Sequence, residues 1–439
     1  MKTKALLAII FAAAFLVACN RSPAQGGASI TDVSTVVPQS TGPNTEEIDV
    51  VQKLTMLQGF GGVPLGGFGR DGLYFVTPWA RSDGSFNLWY ADYDTRSILP
   101  LCAQPNCSHT NDSCTSYIAM SPGGVLPEVV GDQLVLFYLG QTHGYDEEGQ
   151  SATPRLEVME LDGSGRRETL SFSPNQMVEK PMLTDGENIY ARLTTYQADE
   201  TKAELIGINP TQGTYKVVCS LDANQNERIW GCAGSYLIIY RTQQEGAGLE
   251  LCRLNLQTTE CETIYQWNET QAYPALYGDT LVYQNQTDRS FHLLNVLSME
   301  DVALQQYVLP EQGSDTWVVV HDYDQGKLLF EEVVTNSQTK QLETERFYTL
   351  RTDTETLQEW ALVYSYLGKT TPVTRVTDID DEHYLVIVSE NEVSVPENGV
   401  EGPVYYAAGG KQQYASISKA DYWAGNANVS LFEEWGELS

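Results

Sequence analysis

Short runs of apolar and β-branched residues alternate with clusters of Gly, Asp, Asn and Thr along most of this chain. Seven apolar strands open behind such clusters, near Leu73, Leu134, Ile189, Leu237, Leu281, Leu328 and Tyr384. Their spacing, roughly 45 to 60 residues, is the period of four-stranded propeller blades. The first unit shows the order of parts. Asp71-Gly72 turn, 73–76 form an apolar inner strand, 87–92 form the next, Tyr93-Asp94-Thr95 turn, and 97–101 return. Strand positions hold β-branched and aromatic side chains, and turn positions hold residues that favour turns. The hairpin recurs at 156–161, 205–209, 251–256, 291–296, 347–350 and 414–418, the last followed by the turn Lys419-Ala420-Asp421. No sustained helical period interrupts these runs.

The pattern predicts an all-β chain, a propeller of seven four-stranded blades. A lone blade leaves both faces bare, and radial stacking covers them while leaving only short edges. A run of separate β-sandwiches would need about 100 residues per unit, which the spacing excludes. Closure is expected to draw on both chain ends, with the segment from Val50 to Met56 adding an outer strand to the last blade.

Ahead of the repeat the pattern changes. Two lysines within residues 1–4 precede an uncharged apolar run over 5–18. The run is short for a bilayer span and ends in small residues, so it reads as a secretory signal. It closes on Leu16-Val17-Ala18-Cys19. That ending resembles the lipobox of bacterial lipoproteins, and the resemblance implies cleavage before Cys19 and multiple acylation of that residue, palmitate included. Two or more acyl chains anchor a protein stably where one does so marginally. Residues 20–49 are rich in Ser, Thr, Pro, Gly and Gln. Such a segment buries too little surface to offset its ordering entropy and reads as a flexible tether. The expected organisation is a signal peptide over 1–18, lipidated Cys19 and tether over 19–49, and a propeller over 50–439. The expected location is the extracytoplasmic face of a bacterial cell membrane, reached through the lipid anchor.

Charge narrows the partners. Acidic residues outnumber basic ones 58 to 26, for a net charge of −32. Nucleic acid binding needs a basic surface that releases counterions, so nucleic acid is excluded as a partner. Attraction to anionic lipid headgroups is disfavoured on the same ground. A well-solvated, monomeric surface is the expectation.

Seven cysteines remain besides Cys19, an odd number that cannot pair completely within one chain. Three cluster as Cys102-x4-Cys107-x-His109-x4-Cys114, in a run of loop composition between the first two units. Three thiolates and an imidazole suit a closed, structural zinc site. The alternatives are a disulfide between two of the three thiols, which an oxidising compartment allows, or reduced thiols beside a solvated histidine. Cys252 and Cys261 flank the turn of the fourth hairpin and are candidates for a cross-strand disulfide. Cys219 and Cys232 bracket the junction of the third and fourth units, as a second clasp or as two buried thiols.

No Gly-x-Ser-x-Gly elbow and no His-Glu-x-x-His helix occurs. Gly368-Lys369-Thr370 lacks the preceding glycine of a phosphate loop, since that position is Val363. Asp322-x-Asp324-x-Gly326 lacks the twelfth-position glutamate of a calcium loop, which is Val333, and reads as an acidic turn. Asp378, Asp380, Asp381 and Glu382 read as a solvated turn, His143 as a solvated loop residue, and His292, His321 and His383 as structural. The 25 tyrosines and 8 tryptophans are read mostly as packing between blades.

The repeat loosely resembles the propellers of TolB-like proteins. Two segments, from Leu101-Cys102 through Tyr117 and Lys419-Ala420-Asp421-Tyr422-Trp423, resemble a family of uncharacterised lipoproteins of Gram-positive gut bacteria. Those proteins carry a propeller domain of unknown function, so the resemblance implies fold and location and no activity. The expected function is a non-catalytic binding or interaction module for a glycan, a peptide or an envelope protein, because loops on rigid scaffolds carry recognition. The longer segments 334–345 and 390–403 are the expected contact loops. The alternatives are an extracellular propeller enzyme acting on glycans as hydrolase or lyase, and a structural part of an envelope assembly.

Overall fold

The computed structural model describes residues 53–57, 66–76, 84–119, 124–140, 153–197, 200–242, 248–268, 272–311, 314–339, 342–354, 356–366, 369–391 and 411–434. The leader, Cys19, the tether, His143, Gly368 and most of 390–403 lie outside them.

Seven four-stranded antiparallel sheets follow one another in chain order and form a propeller ring. Blade 1 consists of Gly66–Phe68, Gly72–Val76, Phe86–Asp92 and Ile98–Pro100. The seven strands expected from the apolar pattern are all present, and each is the second strand of its blade. A further strand precedes each one: Gly66–Phe68, Val125–Val130, Gln176–Thr184, Arg228–Ala233, Ala275–Tyr277, Thr316–Asp324 and Thr374–Asp378. First strands of blades 1 and 2, 3 and 4, and 5 and 6 approach each other, so these strands, and not the ones opening near Leu73 and its counterparts, lie innermost. The approach is close. A Cβ at Gly67 would sit 2.8 Å from Glu128 Cα in the next blade, so that position needs glycine.

Every sheet alternates apolar positions toward its neighbours, and the apolar clusters lie between blades. Among the described residues the ring closes without a shared strand. Leu73, Phe75 and Trp89 of blade 1 share a cluster with Val376, Leu385, Ile387 and Tyr414 of blade 7. The backbone N–H of Glu433, after the last strand, donates to the Arg96 carbonyl at 2.8 Å.

The expected strand exchange at closure is not formed. Of the segment between Val50 and Met56, the described part pairs elsewhere: Thr55–Met56 lies antiparallel to the first strand of blade 3, with Thr55 opposite Thr184 and Met56 opposite Leu183. Leu54 N–H donates to the Gly234 carbonyl of blade 4. Leu54 and Leu57 are buried. Leu57 joins the apolar cluster between blades 2 and 3 and Leu54 the one between blades 3 and 4, whereas blade 7 already has four strands of its own.

A short helix, α1 (Lys419–Ala424), replaces the turn expected after the third strand of blade 7. The Ser418 side chain caps it by accepting from the Asp421 N–H, and Gly425 ends it in a left-handed conformation. Tyr422 and Trp423 are thereby driven into the core between blades 6 and 7.

Antiparallel alternation sorts the connections onto two faces. One face carries the first-to-second and third-to-fourth links, including the tight turns 131–132, 234–235, 278–279 and 325–326. The other carries the second-to-third links and the links between blades. The strand ends flanking 77–85, 101–124, 139–154, 361–373 and 392–410 all point to this second face.

Candidate functional sites

The Cys/His segment belongs to the link between blades 1 and 2. Tyr117–Ile118 pairs with Phe86 and Asn87 at the edge of blade 1, and Leu88 N–H donates to the Ser116 carbonyl. Arg166 reaches across from blade 2 to the carbonyls of Thr115 and Tyr117 at 3.0 and 2.6 Å. Buried Asn87 donates to the His109 carbonyl and to Ser116 Oγ. The segment is thus pinned at its end and bent between its ligands, with Asn106 and His109 both at positive φ.

Inside that bend, one ligand atom each from Cys102, Cys107, His109 and Cys114 lies within 4.8 Å of every other. His109 Nδ1 is 3.2 Å from Cys114 Sγ. Backbone N–H groups of Gln104 and His109 donate to the sulfurs of Cys102 and Cys107. Ser116 Oγ lies 3.1 Å from Cys114 Sγ. Burial works against a thiolate at Cys114, but hydrogen bonds from Ser116 and His109 outweigh it and bring its pKa down to about 6. All four residues that the sequence singled out are together, and the set can hold a metal ion.

A second site was not anticipated. A polar cleft of about 460 Å³ opens between blades 3 and 4, on the face that carries the long connections. Glu179 lies at its base. Arg192 and Thr194 donate to its Oε1, and Arg228 Nη1 donates to its Oε2 at 2.6 Å. Arg228 Nε is held by Asn226 Oδ1. Tyr196, Glu200, Thr201, Ala223 and Asn224 complete the walls. The sequence carried one signal for it: Arg192 interrupts the apolar strand Ile189–Tyr196 and is buried there. Its partners come from other strands, which no local pattern reveals.

An array of aromatic rings runs from Tyr240, beside Arg228, into the packing between blades 4 and 5. Tyr240 stands opposite Arg228 across the sheet and is hydrogen-bonded by Asn226. Trp230 meets Tyr240 edge-on at 5.5 Å and Trp267 at 6.0 Å. Trp267 in turn contacts Tyr265 and Tyr273. Tyr273 is 68% exposed.

The other sequence candidates fall as follows. Cys252 stands opposite Thr263, and Cys261 opposite Leu254, just past a bulge, so the two cysteines are diagonal neighbours. Both are free thiols, and a hydrogen bond from Cys261 brings the Cys252 pKa down to about 7. Cys219 and Cys232 are free, half-buried thiols beside the apolar cluster of blades 3 and 4, with pKa values pushed by burial up to about 11 and 12. Asp322 is no solvated turn residue. It is buried, and with Asp324 it holds Arg375 of blade 7. Of the acidic turn before blade 7, Asp378 pairs with Lys419 and Asp380 with His383. His292 sits between Asp288 and Asp301, and His321 on Glu331. Lys369 and Thr370 lie in a two-stranded hairpin rather than a phosphate loop. Much of the segment 334–345 is strand, extending the middle hairpin of blade 6.

No protein-family model and no curated protein matches the chain. Among solved structures it is similar to a puromycin-hydrolyzing peptidase of Mycobacterium tuberculosis, at 10% identity and TM-score 0.46. That match covers 89% of this chain and 55% of the peptidase, so the chain spans about half the peptidase's length. It is also similar to an oligogalacturonate lyase in complex with manganese, at 12% identity and TM-score 0.37 over 70% of this chain and 77% of that one. TolB from Acinetobacter baumannii matches at 12% identity and TM-score 0.34, over 83% and 80%. These likenesses are loose, and the fold rests on the sheet topology described above.

Proposed function

We propose that the chain is a lipid-anchored extracytoplasmic protein of the bacterial envelope whose propeller binds a ligand without turning it over. The observation that supports this reading is the gathering of long connections and a polar cleft on one face of a rigid ring. Recognition is commonly built in that way. A glycan hydrolase would need a carboxylate free to act as acid, base or nucleophile. Glu179, the buried carboxylate of the cleft, is not such a group, since both its oxygens are taken by Arg192, Thr194 and Arg228. The leader and Cys19 support the anchor, and a flexible tether leaves the ring free to present its loop-bearing face.

In this reading Cys102, Cys107, His109 and Cys114 hold a structural zinc, which clamps a polar segment that has little core of its own. The Cys252–Cys261 pair is a disulfide in the mature, exported protein.

Three measurements test the proposal. Metal analysis of purified protein should find about one zinc per chain, lost in Cys114→Ser. Cys19→Ser should release the protein from the membrane fraction. Incubation with candidate glycans should give saturable binding and no new reducing ends. Product release would overturn the non-catalytic reading in favour of the glycan enzyme.

A further inference from the structure

We infer that the cleft between blades 3 and 4 is a binding site for a small hydroxycarboxylate, whose carboxylate meets Arg192 and Arg228 and whose hydroxyls meet the polar walls. This deepens the binding reading and rests on it.

The base of the cleft is short of one negative charge. Two guanidiniums, Arg192 and Arg228, converge there on one carboxylate, Glu179. The side chains of Arg192 and Glu179 are each 6% exposed, so water does little to screen the excess. Glu200 also lines the cleft, but it stands exposed at the rim, where solvent screens its charge. Burial, with Arg228 beside it, holds the Arg192 pKa below its usual value, and the attraction of Glu179 does not offset the two. The chain as a whole carries a net charge of −32. Beyond about 8 Å at physiological salt that field is screened, so the local excess decides which ligand enters.

The donors for a further anion are in place. Arg192 commits Nη1 to Glu179 and Thr194, and Arg228 commits Nη1 to Glu179 and Nε to Asn226. Among the described residues the Nη2 groups of both have no hydrogen-bond partner. Neither is enclosed, in contrast to the sealed Nε of Arg192.

Charge and shape select the ligand. A carboxylate brings one negative charge and two oxygens matched to the N–H fork of a guanidinium. A phosphate dianion would bring one charge too many beside Glu179, and a neutral sugar would leave the excess unmet. The remaining walls come from Thr194, Tyr196, Thr201, Ala223, Asn224 and Asn226, of which only Ala223 is aliphatic. Such walls offer hydroxyl and amide groups to a hydroxylated molecule and little to an apolar one. A volume of about 460 Å³ suits a small molecule of that kind.

The test is calorimetric titration of the full-length chain at pH 7 and low salt. Gluconate and glucuronate are the probes, glucose the neutral control and glucose 6-phosphate the dianion. At least one of the two carboxylates should bind saturably, and at least tenfold tighter than either control. Arg228→Ala should weaken that binding about tenfold, the size of a lost charge-assisted hydrogen bond. Arg228→Lys keeps the charge but loses the fork, and should weaken it less. No binding of either carboxylate, equal binding of glucose, tighter binding of the phosphate, or affinity unmoved by Arg228→Ala would overturn the inference. Saturable binding of a neutral glycan that ignores Arg228→Ala, with neither carboxylate bound, would sink this site and leave the binding reading standing. Turnover of a bound carboxylate that depends on Arg228 would support the site while sinking the non-catalytic reading.

Discussion

Between blades 3 and 4, Glu179 holds Arg192 and Arg228; between blades 6 and 7, Asp322 and Asp324 hold Arg375. Both are acid–guanidinium networks at a junction where two sheets meet. At the second, α1 brings Tyr422 onto Asp322 at 3.2 Å, Tyr384 donates to Asp324, and Trp423 donates to Tyr384. The charged side chains of Asp322 and Arg375 are almost wholly enclosed. At the first junction no helix intervenes. The N-terminal segment with Leu54 packs toward the face of the tight turns, and the junction stays open on the face of the long connections, leaving Arg228 37% exposed. One network is sealed and serves the ring, while the other is half-open and can serve a ligand. What separates them is the cover, because the charges are similar.

Breaking the sealed network should have the largest effect. Arg375→Ala leaves Asp322 buried and unpaired, and should cost about 3–5 kcal/mol in urea denaturation. The cost depends on pH. Burial, opposed by Arg375 and by the Tyr422 hydrogen bond, raises the Asp322 pKa to about 6 from an ordinary 3.8. Between about pH 4 and pH 6 the folded protein therefore keeps a proton that the unfolded chain has released. Wild-type stability falls as the pH rises through that window. Without Arg375 the carboxyl stays protonated to higher pH, so the variant's deficit should be smaller at pH 5 than at pH 8. An equal deficit at both would show that Asp322 is not the group exposed by the loss.

Removing the cover of the open junction comes next. Leu54→Ala should cost about 3 kcal/mol, because Leu54 is 2% exposed among Leu183, Leu205 and Leu237. A loss below about 1 kcal/mol would mean that the N-terminal segment decorates blades 3 and 4 without stabilising them. Tyr422→Phe, which deletes only the hydroxyl on Asp322, should cost about 1–2 kcal/mol. The smallest effect is expected from Arg228→Ala, under about 1 kcal/mol. Glu179 keeps Arg192 and Thr194, and water can reach the vacated side. If Arg228→Ala costs as much as Arg375→Ala, the two junctions are alike and the contrast fails.

The seven strands were legible because a buried strand needs an apolar run and a turn needs Gly, Asp or Asn, and both are local demands. The strands preceding them were overlooked. Gly66–Phe68 and Ala275–Tyr277 are short, and Arg228–Ala233 begins with a charge. Placement at the centre of the ring makes them strands, more than composition does. The Cys102–Cys114 segment was legible because its four ligands lie close together along the chain. The cleft was not, since Glu179 and Arg228 lie 49 residues apart in sequence. The same reason hid the partner of Asp322, which lies 53 residues away. The Ser418-x-x-Asp421 cap was present in the sequence, but a helix of six residues gives no period to detect.

The sequence by itself determined the repeat, the strand content and the clustering of three thiols with one imidazole. Each of these depends on neighbours within a few residues. Tertiary structure alone decided where the N-terminal strand pairs, how the ring closes, and which acid meets which arginine. Those outcomes depend on distances between blades, and the one-dimensional order of residues carries no record of them until the ring is built.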